Sequence, residues 1–123
     1  MTGRLSILAN AIVRIPIALH FGWITCATLV NMNKWLSLNG SSRRIKVAAA
    51  YSSVALATVI AAYVSNTTCD PIIAFVVCWS LSAVFVESER DGTPGHLRVA
   101  TQIGAGASFV MMCACVVARC LSV

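Results

Sequence analysis

A single histidine of this chain lies inside an apolar run. His20 stands within Pro16 to Asn31, PIALHFGWITCATLVN, together with Trp23, Thr25, Thr28 and Asn31. This is the densest set of polar-capable side chains in any apolar run of the chain. His20, Trp23, Ala27 and Asn31 recur at spacings of three and four, which sets them along one stripe of a helix. An ionisable group inside an apolar segment is costly and marks a site by default. A neutral imidazole there has one well-known use. One ring nitrogen holds the metal of a tetrapyrrole, and the other takes a hydrogen-bond partner. On that reading His20, Trp23 and Asn31 form a pigment- or tetrapyrrole-facing stripe, and His20 is the one candidate metal ligand. The alternative is a neutral His20 hydrogen-bonded to a backbone carbonyl or to a threonine of a neighbouring helix.

Other chemistry is hard to assemble from these residues. His96 falls in a loop beside Pro94 and Gly95, so a haem clamped by two histidines is not expected. No carboxylate lies inside any span except Glu87 at an edge, which speaks against a proton pathway. There is no nucleophile–base pair, no phosphate-binding loop and no H-E-x-x-H, so the chain is not expected to be an enzyme. The six cysteines (Cys26, Cys69, Cys78, Cys113, Cys115 and Cys120) include no C-x-x-C pair. They read as small apolar packers. The disulfide state of Cys69 stays open. Asn66-Thr67-Thr68 matches a glycosylation acceptor, which is discounted in so short a loop.

The elements that must position the stripe are membrane helices. Of the 123 residues, 59% are hydrophobic and only 11% charged, against about 25% charged in soluble chains. Mean hydropathy is +0.84. Runs this long would leave large apolar patches in water. The N-terminus has a basic residue and an apolar segment like a signal peptide, but the run continues to Leu36 without a clean cleavage site and is kept as mature protein. Four spans are expected, at about 12–36, 45–64, 71–87 and 97–118, forming one transmembrane domain over 1–123: an all-α, integral membrane four-helix bundle. Pro16 is placed in the first turns of span one, where its missing N–H is tolerated. Asn39-Gly40 breaks the chain before span two. Asp70 and Pro71 are the expected N-cap and first residue of span three, which is short. An acidic knot of Glu87, Glu89 and Asp91 with Arg90 follows it.

Small residues recur every four positions: Ala18-Gly22-Cys26, Ala49-Ser53-Ala57-Ala61 and Ala100-Gly104-Ser108. Such rows allow close helix approach in a membrane. Span three has large side chains on most sides and is expected at the periphery or against another protein. With four spans, Lys34, Arg43, Arg44, Lys46, Arg90 and Arg98 share one side, and Arg4, Arg14 and Arg119 the other. Six against three places the two longer loops on the cytoplasm-equivalent side. Arg43, Arg44 and Lys46 are expected to touch anionic lipid. Nucleic-acid binding is not expected, because no basic face is interleaved with aromatics on a soluble module.

The run Pro16-x-x-x-His20-x-Gly22-Trp23-Ile24-Thr25-x-Ala27-Thr28-x-x-Asn31 resembles a segment of the TspO/MBR-related, tryptophan-rich sensory membrane proteins. Their bacterial and algal relatives carry a similar P…LGWITVATIAN run. That family is all-helical with five or more spans, and its better-known members bind tetrapyrroles or sterols. This chain has four expected spans, three tryptophans (Trp23, Trp35 and Trp79) and no W-x-P-x-N-G run. It resembles the C-terminal helices of such a protein. The resemblance implies a packing and ligand-facing stripe through Gly22, Trp23, Thr25, Ala27, Thr28 and Asn31.

Three functional expectations follow. One is a non-catalytic accessory subunit of a larger membrane complex, touching other subunits and chlorophyll, carotenoid or lipid. The likeness to algal relatives points it to a photosystem or light-harvesting assembly in a chloroplast thylakoid. The second is a TspO-like tetrapyrrole-binding sensor or transporter. The third is a subunit of a mitochondrial inner-membrane complex.

Overall fold

The computed structural model describes residues 2–90 and 92–122, with the side chains at 2–6, 10 and 88–90 left aside. The side chains of Arg4, Glu89 and Arg90, and Asp91 entirely, therefore lie outside the described residues. Four helices follow one another: α1 (Thr2–Leu38), α2 (Arg43–Thr68), α3 (Pro71–Arg90) and α4 (Gly95–Leu121). The segment Ile7–Leu38 of α1, with α2 and α4, is long and apolar enough to cross a membrane. The 20 residues of α3 extend about 30 Å, the thickness of a hydrocarbon core. The architecture is that of a helical membrane bundle.

The helix ends follow local chemistry. The turn after α1 is closed by Asn39, whose backbone N–H and side-chain Nδ2 both donate to Trp35 O, at 3.0 and 2.8 Å. Gly40 then takes a positive φ of 68°, a conformation open to glycine at little cost. Ser42 caps α2 by accepting from Ile45 N–H. Asp70 caps α3 through Oδ1, which accepts from Ile72 N–H at 3.1 Å.

Two expectations are corrected. The first helix starts ten residues before the expected span, so Pro16 lies in its interior rather than in its first turns. A membrane helix accommodates this because the surrounding structure can re-satisfy the one carbonyl that proline leaves without a donor. The third helix is also not peripheral. It touches α1, α2 and α4, whereas α1 and α4 do not meet among the described residues. Its Ile73, Ala74, Val76, Val77 and Leu81 are buried. The reason lies in its neighbours. A Cβ on Gly22 would come within 3.0 Å of Val76, and one on Gly104 within 2.9 Å of Leu81. Glycines on α1 and α4 thus receive the large side chains of α3, which size alone had suggested would point outward.

The end of the bundle that holds the α2–α3 turn is tied by polar contacts. Arg14 Nε lies 3.4 Å from Asp70 Oδ2. Arg119 Nε donates to Cys69 O at 2.8 Å, and Ser65 Oγ donates to Asp70 O at 3.4 Å. Cys69 takes φ 50°, the left-handed conformation that ends α2. All six cysteines are free.

Candidate functional site

The buried row of α1 runs through Ala18, Gly22 and Cys26, and its next turns bring Leu29 and Asn33 toward α2. Asn33 Nδ2 donates to Ser53 Oγ of α2 at 2.8 Å and to Leu29 O at 2.8 Å. Ser53 Oγ in turn donates to Ala49 O at 2.8 Å. These bonds pair the Asn33 amide nitrogen and the Ser53 hydroxyl, as an apolar interior requires of its donors. On α2 the row continues through Ala57 and Ala61, both buried, with Ala49 half-buried at its outer end. On α4 the row holds Gly104 and Ser108, both buried, with Ala100 half-buried. Cys26, Ala57, Ala61, Val77 and Leu81 form the hydrophobic core.

Above that core, toward the α1–α2 and α3–α4 connections, the helices part around a half-open cavity of about 310 Å³. Its deep end is Cys26, Ala57 and Leu81, and its outer end is Asn33, Ala50, Glu87, Thr93 and Leu97. Ser53, Ser80 and Thr101 add hydroxyls to a wall otherwise made of aliphatic side chains. The Thr101 hydroxyl donates to Arg98 O at 2.7 Å, and the Arg98 guanidinium lies 5.3 Å from the centre of the Phe85 ring. Among the described residues, no lysine, arginine or histidine lines the cavity. Its volume is at the lower end for small-molecule sites, and its lining has their usual character, mostly apolar with a few placed polar groups.

The predicted stripe sits elsewhere. His20, Trp23 and Asn31 are exposed on the outer side of α1, with Trp23 61% exposed, and Ala27 is half-buried. None of the four lines the cavity. Trp23 instead joins Leu19, Phe75, Val76 and Trp79 around a shallow groove of about 370 Å³ between α1 and α3. The Phe75 and Trp79 rings lie 6.3 Å apart at 44°. His96, expected in a loop, instead lies in the first turn of α4 and stacks on Tyr51 of α2 at 6.0 Å, far in sequence from His20. Among the described residues no group of three His, Cys, Asp or Glu gathers to hold a metal. Arg43 and Arg44 are exposed at the start of α2, and Lys46 Nζ donates to Ser37 O at 3.2 Å.

Sequence reasoning singled out Ser53 and Cys26 as packing positions and missed Asn33, Ser80 and Thr101 as cavity residues. For Asn33 a signal existed. It continues the Ala18-Gly22-Cys26 row by seven residues, which on a helix is the same face.

No curated protein and no solved structure matches the chain significantly. The sequence pattern of the TSPO-like protein family matches residues 2–118, a stretch that takes in α1, α2, α3 and nearly all of α4. Its helical membrane architecture and this match over almost its whole length place the chain in the TSPO-like family.

Proposed function

We propose that this integral membrane protein binds a hydrophobic small molecule of the tetrapyrrole class in the cavity between its four helices, as a TspO-like sensor or transporter. The carrying observation is the cavity itself: apolar and half open, with hydroxyl and amide groups on its wall, in a chain of the TSPO-like family. At about 310 Å³ the cavity suits one edge of a macrocycle better than a fully enclosed ring. The apolar walls suit the ring face. No histidine of this chain reaches the cavity, so His20 does not serve as an axial ligand there. Recognition rests on shape and hydrogen bonding, and a metal-free tetrapyrrole is as good a ligand as a metallated one.

The test is an absorbance and fluorescence titration of the purified protein with metal-free protoporphyrin. Saturable binding of one ligand per chain is expected, and it should be lost when Ala50→Trp fills the outer end of the cavity. Absence of saturable binding to the unaltered protein overturns the proposal.

The groove of Leu19, Trp23, Phe75, Val76 and Trp79 favours a second reading, an accessory subunit of a larger membrane complex. Trp79 is 65% and Phe75 46% exposed. Trp79 lies near the middle of α3, although tryptophan ordinarily gathers at the membrane–water interface. Such a face suits another subunit or a pigment such as chlorophyll or a carotenoid, in a photosynthetic or a mitochondrial inner membrane. Co-purification of a stable partner that is lost in Trp23→Ala with Trp79→Ala would support it. Isolation as a lone monomer or homodimer would count against it.

A further inference from the structure

Six hydroxyls of this bundle share one habit. Thr25, Ser53, Thr58, Thr67, Thr68 and Ser82 each donate to the carbonyl four residues back along their own helix. That bond lets an O–H sit in a hydrocarbon surrounding without a penalty for being unpaired. Ser80 departs from it. Its Oγ is buried and has no hydrogen-bond partner, while Ser82, two residues further on, bonds Cys78 O at 2.8 Å. Ser80 is also part of the cavity wall. An unpaired hydroxyl in a low-dielectric interior is destabilising, and alanine would give the same helix and nearly the same packing at that position. The Ser80 oxygen itself is closed to solvent, so presenting it to a ligand in the cavity requires a turn about its single χ1 bond.

We infer that Ser80 is the polar recognition point of the cavity: its hydroxyl is reserved for an uncharged hydrogen-bonding atom on the buried edge of the ligand. A pyrrole nitrogen, a carbonyl or a hydroxyl meets that description. The inference rests on the reading of the cavity as a ligand site and specifies the chemistry of that ligand. The lining supplies no cation among the described residues, so no carboxylate is neutralised in the interior. Acidic substituents stay at the loop face, where Arg43, Arg44 and Lys46 open α2. Ser108 provides a matched control. Its Oγ is also unpartnered and the residue is fully buried, but it does not line the cavity.

The experiment uses the full chain in detergent micelles with two probes, protoporphyrin IX and its uncharged dimethyl ester. The unaltered protein should bind both with closely similar affinity. Ser80→Ala should weaken both by about tenfold, the loss of one hydrogen bond, and should raise the unfolding temperature of the ligand-free protein. Ser80→Thr, which keeps the hydroxyl, should retain most of the affinity. Ser108→Ala should raise the unfolding temperature and leave affinity unchanged. Unchanged binding by Ser80→Ala overturns the inference alone, as does binding of the acid but not of the ester. Failure of the unaltered protein to bind either probe overturns the ligand-site reading, and the inference with it.

Discussion

Replacing Asp70 by alanine removes two interactions that hold three segments of the bundle together. Asp70 is 5% exposed. Its Oδ1 accepts from Ile72 N–H and so satisfies one of the orphan donors at the start of α3. Its Oδ2 faces Arg14 Nε of α1 at 3.4 Å. Loss of an N-cap costs about 1 kcal/mol, with a range of about 0.5–2. The ion pair contributes less. The Arg14 side chain is 50% exposed, so solvent screens the attraction, and a half-exposed pair is worth about 0–1 kcal/mol. Removing the acid leaves Arg14 hydrated rather than stranded. Asp70→Ala should therefore destabilise by about 0.5–3 kcal/mol. Asp70→Asn keeps a good capping side chain and loses only the charge, and should cost less than about 1 kcal/mol. Arg14→Ala should match Asp70→Asn. Equilibrium unfolding of the three variants in a mild detergent gives the order directly. If Asp70→Asn proves as damaging as Asp70→Ala, the ion pair and not the cap is the dominant contact, and the ranking of cap over charge is refuted.

Other perturbations test the packing and the surfaces. Gly104→Leu should prevent α4 from closing on α2 and α3, because even a Cβ there meets Leu81 at 2.9 Å and Thr58 and Val54 at 3.1 Å; loss of the folded fraction on size-exclusion chromatography checks it. A double-mutant cycle of Asn33→Ala and Ser53→Ala should give a coupling near 0.6 kcal/mol, the usual value for a hydrogen bond between membrane helices, read from unfolding midpoints. Trp79→Ala should leave stability nearly unchanged, since the side chain is 65% exposed, and a large loss on thermal unfolding would show that the outer groove is closed by the fold itself. Joint replacement of Arg43, Arg44 and Lys46 by alanine should reduce retention of anionic lipid by about 1 kcal/mol per residue removed, measured by quantifying co-purified lipid classes.

Much of the fold was legible because membrane helices announce themselves by length and hydropathy. The turn at Asn39-Gly40 and the start of α3 at Asp70-Pro71 were equally readable, since each depends on residues adjacent in sequence. The place of α3 was not. Its large side chains suggested a lipid-facing helix, and only the pairing of Val76 with Gly22 and Leu81 with Gly104 across helices shows why they are buried. Helix rotation was the second hidden quantity. One sequence gives two stripes on α1, one through Ala18, Gly22 and Cys26 and one through His20, Trp23 and Asn31. Chemistry drew attention to the second, while the first continues into Asn33 and the cavity. The Asn33–Ser53 bond and the unpaired Ser80 hydroxyl depend on contacts or missing contacts that no spacing within one helix reveals. The Arg14–Asp70 pair was hidden in the same way, since it joins residues far apart in sequence.

Photolabelling locates the ligand most directly. The purified protein would be illuminated with bound protoporphyrin, and the modified peptides mapped by mass spectrometry. Labelling should concentrate on segments around Asn33, Ser53, Ser80 and Thr101, on the inner faces of all four helices. Labelling confined to Trp23, Phe75 and Trp79 would place the ligand in the outer groove and contradict binding inside the bundle.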